Sequence, residues 1–183
     1  MLKIQYTIPE SEYYDEGINE FITYPQKVLD MNLEHSLVSI SRWESKHHKS
    51  FLSSKDVSEE EMADYICCMD MNDQLTLSDV KRLPHRIIKQ IQDYIQDPMT
   101  ATTFSDNKQK TSREIITSEI IYYDMVAAQI PFECEHWHIN RLLTLIRICS
   151  IKNGPPKKMS KSEVMARNRA LNAQRKAKYH TKG

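Results

Sequence analysis

Glycine is scarce in this sequence, with only 3 among 183 residues. Phosphate-binding loops and turn-dense β-sandwiches both depend on glycine at tight turns, so the composition argues against both classes. The sequence also lacks a Gly-x-Ser-x-Gly elbow, a Walker loop and a dinucleotide-binding fingerprint. Its many carboxylates are not paired in an apolar setting. We therefore predict a protein that is not an enzyme and that needs no cofactor.

Long apolar runs are also lacking. None approaches the roughly 18 residues that a membrane span needs. The start of the chain, Met1 to Tyr6, does not have the pattern of a secretory signal. With 40% hydrophobic and 27% charged residues, the composition is typical of a soluble globular protein. We expect a protein that stays in the cytoplasm where it is made and does not enter a membrane.

Cysteine is limited to 4 residues. Cys67 and Cys68 lie inside an apolar helical pattern, and Cys149 follows Leu145 and Ile146 at helical spacing. Cysteines in such positions of cytosolic proteins are usually reduced residues of the core. We expect free thiols and no disulfide framework.

Charge is balanced overall, with 25 basic and 25 acidic residues, but it is unevenly placed. Between Pro155 and Gly183 there are nine Lys and Arg residues and a single acid, Glu163. The rest of the chain therefore holds 16 basic and 24 acidic residues. A chain of this length is most simply one domain with an appendage. We expect a body over residues 1–153 and a basic helical tail over residues 154–183.

The basic tail opens with a capping box, Ser160 to Glu163, which predicts the start of a helix. Its apolar face, carried by Val164 and Leu171, is thin, so the helix is expected to need a partner to be stable. Three interpretations stay open: a helix that binds a partner protein, a solvated terminus, or a contact to nucleic acid. The third is least favoured, because Tyr179 is the tail's single aromatic residue for base stacking.

The first 30 residues have strand patterns. Leu2–Ile8 alternates apolar and polar residues and ends at Pro9, and Glu20–Tyr24 is a second candidate strand. Pro25 limits that strand to an edge or an end. Between the two lies the polar stretch Glu10–Asn19, which we interpret as a solvated loop. The sequence thus predicts a small β-hairpin or sheet within about residues 1–30.

Helical periodicity dominates the rest of the body, so the predicted fold class is mainly α, a compact helical domain behind the N-terminal hairpin. Capping boxes, prolines and apolar spacings place the helix ends. The predicted helices are Leu33–Lys46, one opened by Ser58–Glu61, Leu77–Leu83 with Thr76 or Ser78 as cap, one from Pro84 to about Asp97, one capped by Ser112 and broken by Pro131, and Glu133–Ser150.

The last two of these helices are predicted to be the most deeply buried. In the first, apolar residues recur at helical spacing at Ile116, Ile120, Tyr123 and Ala127, and this stripe is widened by Ile115, Ile121, Tyr122, Met125 and Val126. In the second, the predicted buried face carries Trp137, Leu142, Leu145, Ile146 and Cys149.

Two histidine-containing segments are candidates for chemistry. Cys134, His136 and His138 could hold zinc if extended, with Cys149 or Cys67–Cys68 completing the set. Their spacing matches no common zinc pattern, and on a helix alternate residues diverge. The stretch up to Asn140 could also belong to a His-Asn-His nuclease, which requires strands that the pattern does not predict. A helix start with partly buried histidines is favoured over both. The pair His47–His48 is interpreted as solvated surface at a helix end.

Six stretches carry an overall likeness to a known family rather than a catalytic motif. They are Leu33–Lys46, Pro98–Phe104, Arg113–Tyr123, Ile130–Arg147, Pro155–Lys161 and Arg167–Asn172. In these stretches the chain resembles small proteins of tailed bacteriophages that are interpreted as tail assembly chaperones. The resemblance spans most of the chain from Leu33 onward.

The resemblance implies a mostly helical, non-enzymatic protein of the host cell cytoplasm. Such a protein would coat the tape-measure protein while tail-tube subunits polymerise around it, and it would be absent from the finished particle. The alternative is a structural protein of the virion tail, neck or baseplate. A small nucleic-acid-binding accessory protein is the third reading, and self-association is a further option.

Partner binding is expected in an apolar groove beside the junction of the last two body helices, with the basic tail adding charge. A tape measure is a long helix with apolar stripes, and reversible contact with it needs apolar surface and charge together. The predicted partner-binding residues are Tyr122, Tyr123, Phe132, Trp137, Lys157, Lys158, Arg167, Arg169, Arg175 and Lys176.

Overall fold

The computed structural model describes residues 1–17, 19–54, 56–104, 115–154 and 161–179, with Asp15 described by its backbone alone. The contacts divide the chain into two units, Met1–Ser150 and Ile151–Gly183. The prediction of a mostly helical protein with an antiparallel β element at the N-terminus is confirmed. The elements are β1 (Leu2–Ile8), β2 (Ser11–Asp15), β3 (Glu20–Tyr24), β4 (Lys27–Leu33), α1 (Leu37–His47), α2 (Glu59–Met69), α3 (Leu77–Lys81), α4 (His85–Gln96), α5 (Ser118–Ala127), a 3₁₀ helix (Phe132–His136), α6 (Ile139–Asn153) and α7 (Lys161–Tyr179).

The four strands form one long antiparallel ribbon in two halves. In the inner half β1 pairs with β4, and in the outer half β2 pairs with β3. The register continues without a shift from one half to the other. The two halves are separated where Pro9 and Pro25 interrupt the strands, since proline has no backbone N–H to donate to a ladder.

The predicted strands Leu2–Ile8 and Glu20–Tyr24 are confirmed, but two predictions beside them are wrong. Part of the predicted loop forms β2, because its residues pair across the ribbon with β3. Leu33 does not start a helix, since it ends β4 opposite Leu2. The helix begins at Leu37 instead, where the Ser36 side chain accepts a hydrogen bond from the Ser39 backbone N–H.

The core lies between the inner half of the ribbon and the body helices. The largest fully buried side chains come from the ribbon and from five of the body helices. They are Ile8, Met31 and Leu33 from the ribbon, Leu37, Ile40 and Trp43 from α1, Tyr65 and Met69 from α2, Ile91 from α4, Ile121 and Met125 from α5, and Ile139 from α6. An isolated bridge joins the end of β4 to Asp70 after α2, and another joins Ser36 to His138 before α6.

The helix starts that capping residues predict in the first half of the body are confirmed. Ser58 and Glu61 form a reciprocal capping box at the start of α2. Thr76, not Ser78, caps α3, in a second box completed by Asp79. Pro84, predicted in the first turn of α4, is its N-terminal cap, and the helix ends at Gln96, close to the predicted stop.

Helix α5 differs from its prediction in both its start and its buried face. Ser112 lies outside the described residues, and the helix begins at Ser118 after Thr117. Its buried face is carried by Ile121 and Met125, from the widened part of the predicted stripe, whereas Tyr123 and Ala127, in the stripe itself, are exposed. The helix is apolar around most of its circumference, and periodicity therefore cannot identify the face that packs.

The predicted helix Glu133–Ser150 is divided in two. Its first residues belong to the 3₁₀ helix, and α6 begins only at Ile139. Leu142 is buried as predicted, but the other four members of the predicted face, Trp137, Leu145, Ile146 and Cys149, are only half-buried. The predicted face therefore lies at the edge of the core and not at its centre.

Candidate protein-interaction site

Large apolar side chains reach solvent where α5 meets the 3₁₀ helix. Tyr123 is 70% exposed, Val126 is 59% exposed and Phe132 is 57% exposed. The rings of Tyr122 and Phe132 lie 6.4 Å apart between centroids. The structure thus brings three of the predicted aromatic residues to one region of the surface, which we call the α5 surface (Tyr122, Tyr123, Val126 and Phe132).

The α5 surface is held in place by a tight turn. Gln129 takes a left-handed conformation with φ of 55°, and the Ile130 N–H donates to the Met125 carbonyl over 2.8 Å. Ile130 itself is buried. Pro131 then caps the 3₁₀ helix, so Phe132 is fixed at its first position.

Tyr122 adds a polar link between the same two elements. Its hydroxyl donates to the Glu135 carboxylate over 2.7 Å, from a half-buried position. Burial, and then this bond to a carboxylate, raise the pKa of Tyr122 above its usual value, so the hydroxyl stays protonated as a donor. Tyr122 is therefore an anchor of the surface more than a contact residue.

Glu44, on α1, positions the start of α5. One of its oxygens accepts from the Ser118 N–H at the start of α5 over 2.7 Å, and the other accepts from the Phe51 N–H over 2.8 Å. Glu44 is buried, so it satisfies two backbone donors that would otherwise lack partners. Because Ser118 is 74 residues away in the chain, no local pattern in the sequence reveals this role of Glu44.

Trp137, the fourth predicted aromatic residue, has a different setting. It is half-buried against the core, and the Arg141 guanidinium lies 3.9 Å from its ring centroid. A cation at that distance is attracted by the face of the ring. Trp137 thus contributes to the start of α6. It is close to the α5 surface in sequence, but its ring is in contact with the Arg141 guanidinium.

A concave surface lies between α2, α3 and α4. It is an open cleft of about 680 Å³. The apolar part of its lining is Val57, Met62, Ala63, Ile66, Val80 and Ile88, and the polar part includes Glu59, Glu60 and Lys81. Sequence reasoning missed this cleft, because three separate helices contribute to it.

The suspected zinc ligands have separate partners. His136 Nδ1 lies 3.2 Å from a Glu34 oxygen, and His138 Nε2 donates to the Tyr94 carbonyl over 2.9 Å. Cys134 is buried in the hydrophobic core. Within the described ranges, no group of three or more His, Cys, Asp or Glu residues could hold a metal ion.

His35 and His138 form a buried polar cluster with Tyr65. The His35 ring lies 4.9 Å from the His138 ring, and its Nδ1 lies 2.5 Å from the Tyr65 hydroxyl. Burial, and then the neighbouring His138, lower the pKa of His35 to about 3. Burial also lowers the pKa of His138 and raises that of Tyr65 well above its usual value. At neutral pH all three groups are uncharged, which suits a structural role.

The sequence predicts that His47 and His48 both lie on the solvated surface. His48 is exposed, but His47 is half-buried, so the prediction is wrong for His47. His47 stacks on Trp43 with 4.4 Å between ring centroids, and its Nε2 lies 2.8 Å from an Asp64 oxygen. His48 follows as the left-handed cap of α1, with φ of 54°. A local polar pattern cannot reveal that Trp43 offers His47 a stacking partner one turn earlier.

All four cysteines are free. Cys134 is buried and the other three are half-buried. Burial raises the pKa of Cys67 to about 11 and also raises that of Cys68. Because the thiolate is the nucleophile, these two adjacent thiols are poorly reactive at neutral pH.

The basic helix α7 is exposed along its described length. It carries four of the predicted basic residues, Arg167, Arg169, Arg175 and Lys176, while Lys157 and Lys158 lie outside the described residues, as does the predicted cap Ser160. At 100° per residue these four side chains point to several sides of the helix, not to one face. The helix therefore offers positive charge around its circumference.

The chemistry that the described residues offer at the surface is apolar contact and charge. Among the helices in the described ranges, none is both long and apolar enough to cross a membrane. The α5 surface, the cleft and the charge of α7 are features through which a protein can bind another protein. Comparisons of this chain with protein-family models, with curated proteins and with solved structures find no match.

Proposed function

We propose that this protein is a non-enzymatic chaperone of phage tail assembly that binds the tape-measure protein while the tail tube polymerises around it. The observation that carries the proposal is the exposure of Tyr123, Val126 and Phe132 on the α5 surface. Exposed apolar side chains of this size that cluster on a surface usually mark a binding site. They suit the apolar stripe of a long helical partner.

In this proposal the α5 surface makes the apolar contact and the basic tail supplies charge. Tyr123 and Phe132 are the contact residues, Tyr122 anchors them through Glu135, and Trp137 is an additional contact residue. The charge comes from Lys157, Lys158, Arg167, Arg169, Arg175 and Lys176. Charge speeds association and keeps the contact sensitive to salt and reversible.

The proposed place of action is the host cell cytoplasm, and no cofactor takes part. The tail-tube protein is a further expected partner, and self-association of the chaperone is compatible with the same role. A structural protein of the tail, neck or baseplate could use the same apolar surface. The two roles differ in whether the protein remains in the particle.

The test compares purified particles with infected-cell lysate by mass spectrometry, and then measures capture of the tape-measure protein. The tagged chain is used as wild type, as the Tyr123→Ser, Phe132→Ser double variant, and as Glu133→Gln, a matched exposed control. We expect the protein in lysate but not in particles, and loss of capture only in the double variant.

Two outcomes would contradict the proposal in different ways. Stoichiometric presence in the particle would make this a structural tail protein. Capture of the tape measure by the double variant at the wild-type level would show that the α5 surface is not the binding site. Circular dichroism of each variant shows whether the fold is intact, so that a lost contact is not confused with unfolding.

A further inference from the structure

The outer half of the β-ribbon places aromatic side chains in solvent on both of its faces. Among the described residues β2 and β3 pair only with each other. Phe21 is 72% exposed, and Tyr13 and Tyr14 are exposed as well. A two-stranded ribbon without a packed face is marginally stable in isolation, so these residues are not part of the core that holds the fold.

The aromatic residues are arranged as one pair on each face. Tyr14 is directly opposite Phe21, and their centroids are 5.0 Å apart. On the other face the rings of Tyr13 and Tyr24 stack, 5.7 Å apart and 13° from parallel. Because successive residues of a strand point to opposite faces, Glu12 lies on the Tyr14–Phe21 face.

The charge of this segment has one sign. Residues 4–26 contain no Lys, Arg or His, and they contain the five acids Glu10, Glu12, Asp15, Glu16 and Glu20. In the described part of the chain, none of the ion pairs involves Glu10, Glu12, Glu16 or Glu20. The segment that carries the exposed rings is therefore net negative in its own sequence, which favours a partner that carries cations.

One face of the ribbon already binds a guanidinium group from within the chain. Arg82 lies 5.0 Å from the centroid of the Tyr24 ring, and it donates a hydrogen bond to the Pro9 carbonyl over 2.6 Å. Among the cation–ring contacts of the described residues, none involves Tyr14 or Phe21. The second face has the same aromatic chemistry, and it also has the carboxylate of Glu12.

We propose that the Tyr14–Phe21 face of the ribbon binds an arginine- and lysine-bearing segment of a partner protein. A guanidinium stacks on the Phe21 and Tyr14 rings, as Arg82 does on Tyr24, while Glu12 accepts from a neighbouring cation. Arginine is favoured over lysine, since its planar group stacks on aromatic rings. This site is separate from the α5 surface and does not depend on the proposed role in tail assembly.

The test is a titration of the isotope-labelled full chain, followed by NMR, with a 15-residue peptide of arginine, alanine and glutamine. A peptide with glutamate in place of arginine, and one with lysine in place of arginine, serve as controls. We expect shift changes concentrated in residues 11–24, none with the glutamate peptide, and weaker binding of the lysine peptide.

Variants separate stacking from charge. Phe21→Ser and Glu12→Lys should each weaken binding by about fivefold or more, since each removes a contact that contributes about 1 kcal/mol at an exposed site. Val28→Ser is the matched control, because Val28 is similarly exposed but lies on the inner half of the ribbon. Its affinity should equal that of the wild type. If Phe21→Ser disturbs the ribbon, Glu12→Lys still tests the same face without removing a ring.

Several results would overturn the proposal. Shift changes outside residues 11–24, or equal affinity of Phe21→Ser and wild type, would mean that the peptide follows bulk charge and not this face. Concentration-dependent shifts at residues 11–24 without peptide would mean that a second copy of the chain occupies the site.

Discussion

The inner and outer halves of the β-ribbon share one register but differ in what stabilises them. In the inner half, Ile8, Met31 and Leu33 are buried against the helices. In the outer half, Tyr14 and Phe21 are exposed, although both carry large aromatic rings. The pairing of the backbone is therefore the same in both, whereas the burial of side chains is confined to one.

This difference separates two contributions that usually occur together. Inner residues gain the transfer of apolar surface out of water, about 25 cal/mol for each Å² buried. Outer residues gain only cross-strand contacts, which contribute about 0.2–1 kcal/mol for each pair. We infer that the fold depends on the inner half and that the outer half is available for binding.

Replacing one core residue of the inner half should have the strongest effect on stability. Leu33 is fully buried at the end of β4, so Leu33→Ala should reduce the free energy of unfolding by about 2–5 kcal/mol. Phe21→Ala in the outer half should change it by less than about 1 kcal/mol. Urea unfolding of both variants measures the contrast, and equal losses would mean that the outer half also stabilises the core.

Acid should weaken the protein through the cluster that follows β4. His35 has a pKa of about 3 when folded but about 6.5 when unfolded, so the unfolded chain binds a proton first. Stability is therefore complete above pH 6.5 and falls as the pH drops towards 3, by about 1.4 kcal/mol for each pH unit. His138, whose pKa burial also lowers, adds to the same slope.

The measurement is urea unfolding at pH 7 and pH 5, a range above the titration of the carboxylates. We expect the free energy of unfolding of the wild type to fall by about 2 kcal/mol from pH 7 to pH 5 through His35 alone. His35→Gln should be less stable at pH 7, because it loses the bond to Tyr65, but it should lose less between the two pH values. An unchanged slope in this variant would assign the acid sensitivity to other groups.

Lys27 and Arg82 make contacts close to the prolines that divide the ribbon. Replacing Lys27 should destabilise the protein more than replacing Arg82. Lys27 lies 2.6 Å from the buried carboxylate of Asp79, whereas Arg82 contacts the exposed outer half at Pro9 and Tyr24. Lys27→Met leaves a buried charge with one partner fewer and should cost about 1 kcal/mol.

Arg82→Met is the matched comparison, and it should cost less than about 0.5 kcal/mol because exposed contacts contribute little. Thermal unfolding in low salt measures the loss of stability in both variants. The same measurement in 0.5 M salt screens the exposed charges. A larger loss for Arg82→Met than for Lys27→Met would show that the outer half is held to the body more firmly than its exposure indicates.

The sequence predicts those parts of the fold whose signals are local. The capping boxes at Ser58 and Thr76 and the strand Leu2–Ile8 are examples, since the residues that decide them are close together in the chain. The strand β4 had a signal too, because Leu29, Met31 and Leu33 alternate with polar residues. The helical pattern after Leu33 concealed it.

The rest of the structure depends on contacts between distant residues. Glu44 anchors α5 from 74 residues away, and no local pattern can show which acid does so. The face on which α5 packs was also undetermined, since that helix is apolar on several sides. The aromatic residues Tyr123 and Phe132 were predicted as partner-binding residues, and that remains a prediction that capture of the tape-measure protein would test.

Removal of the outer half should have the smallest effect on stability. Replacing residues 9–26 by Asn-Gly joins Ile8 to Lys27, which already pair, through a two-residue turn of the type that such hairpins favour. The deletion loses the cross-strand aromatic pairs and the Arg82 contacts. Against this loss, the entropic cost of closing the loop falls by about 0.6 kcal/mol for each halving of its length. The net change should lie within about 1 kcal/mol of zero. A deletion variant that unfolds would contradict the division of roles between the two halves, whereas one that folds but no longer binds the arginine peptide would locate that site in the outer half.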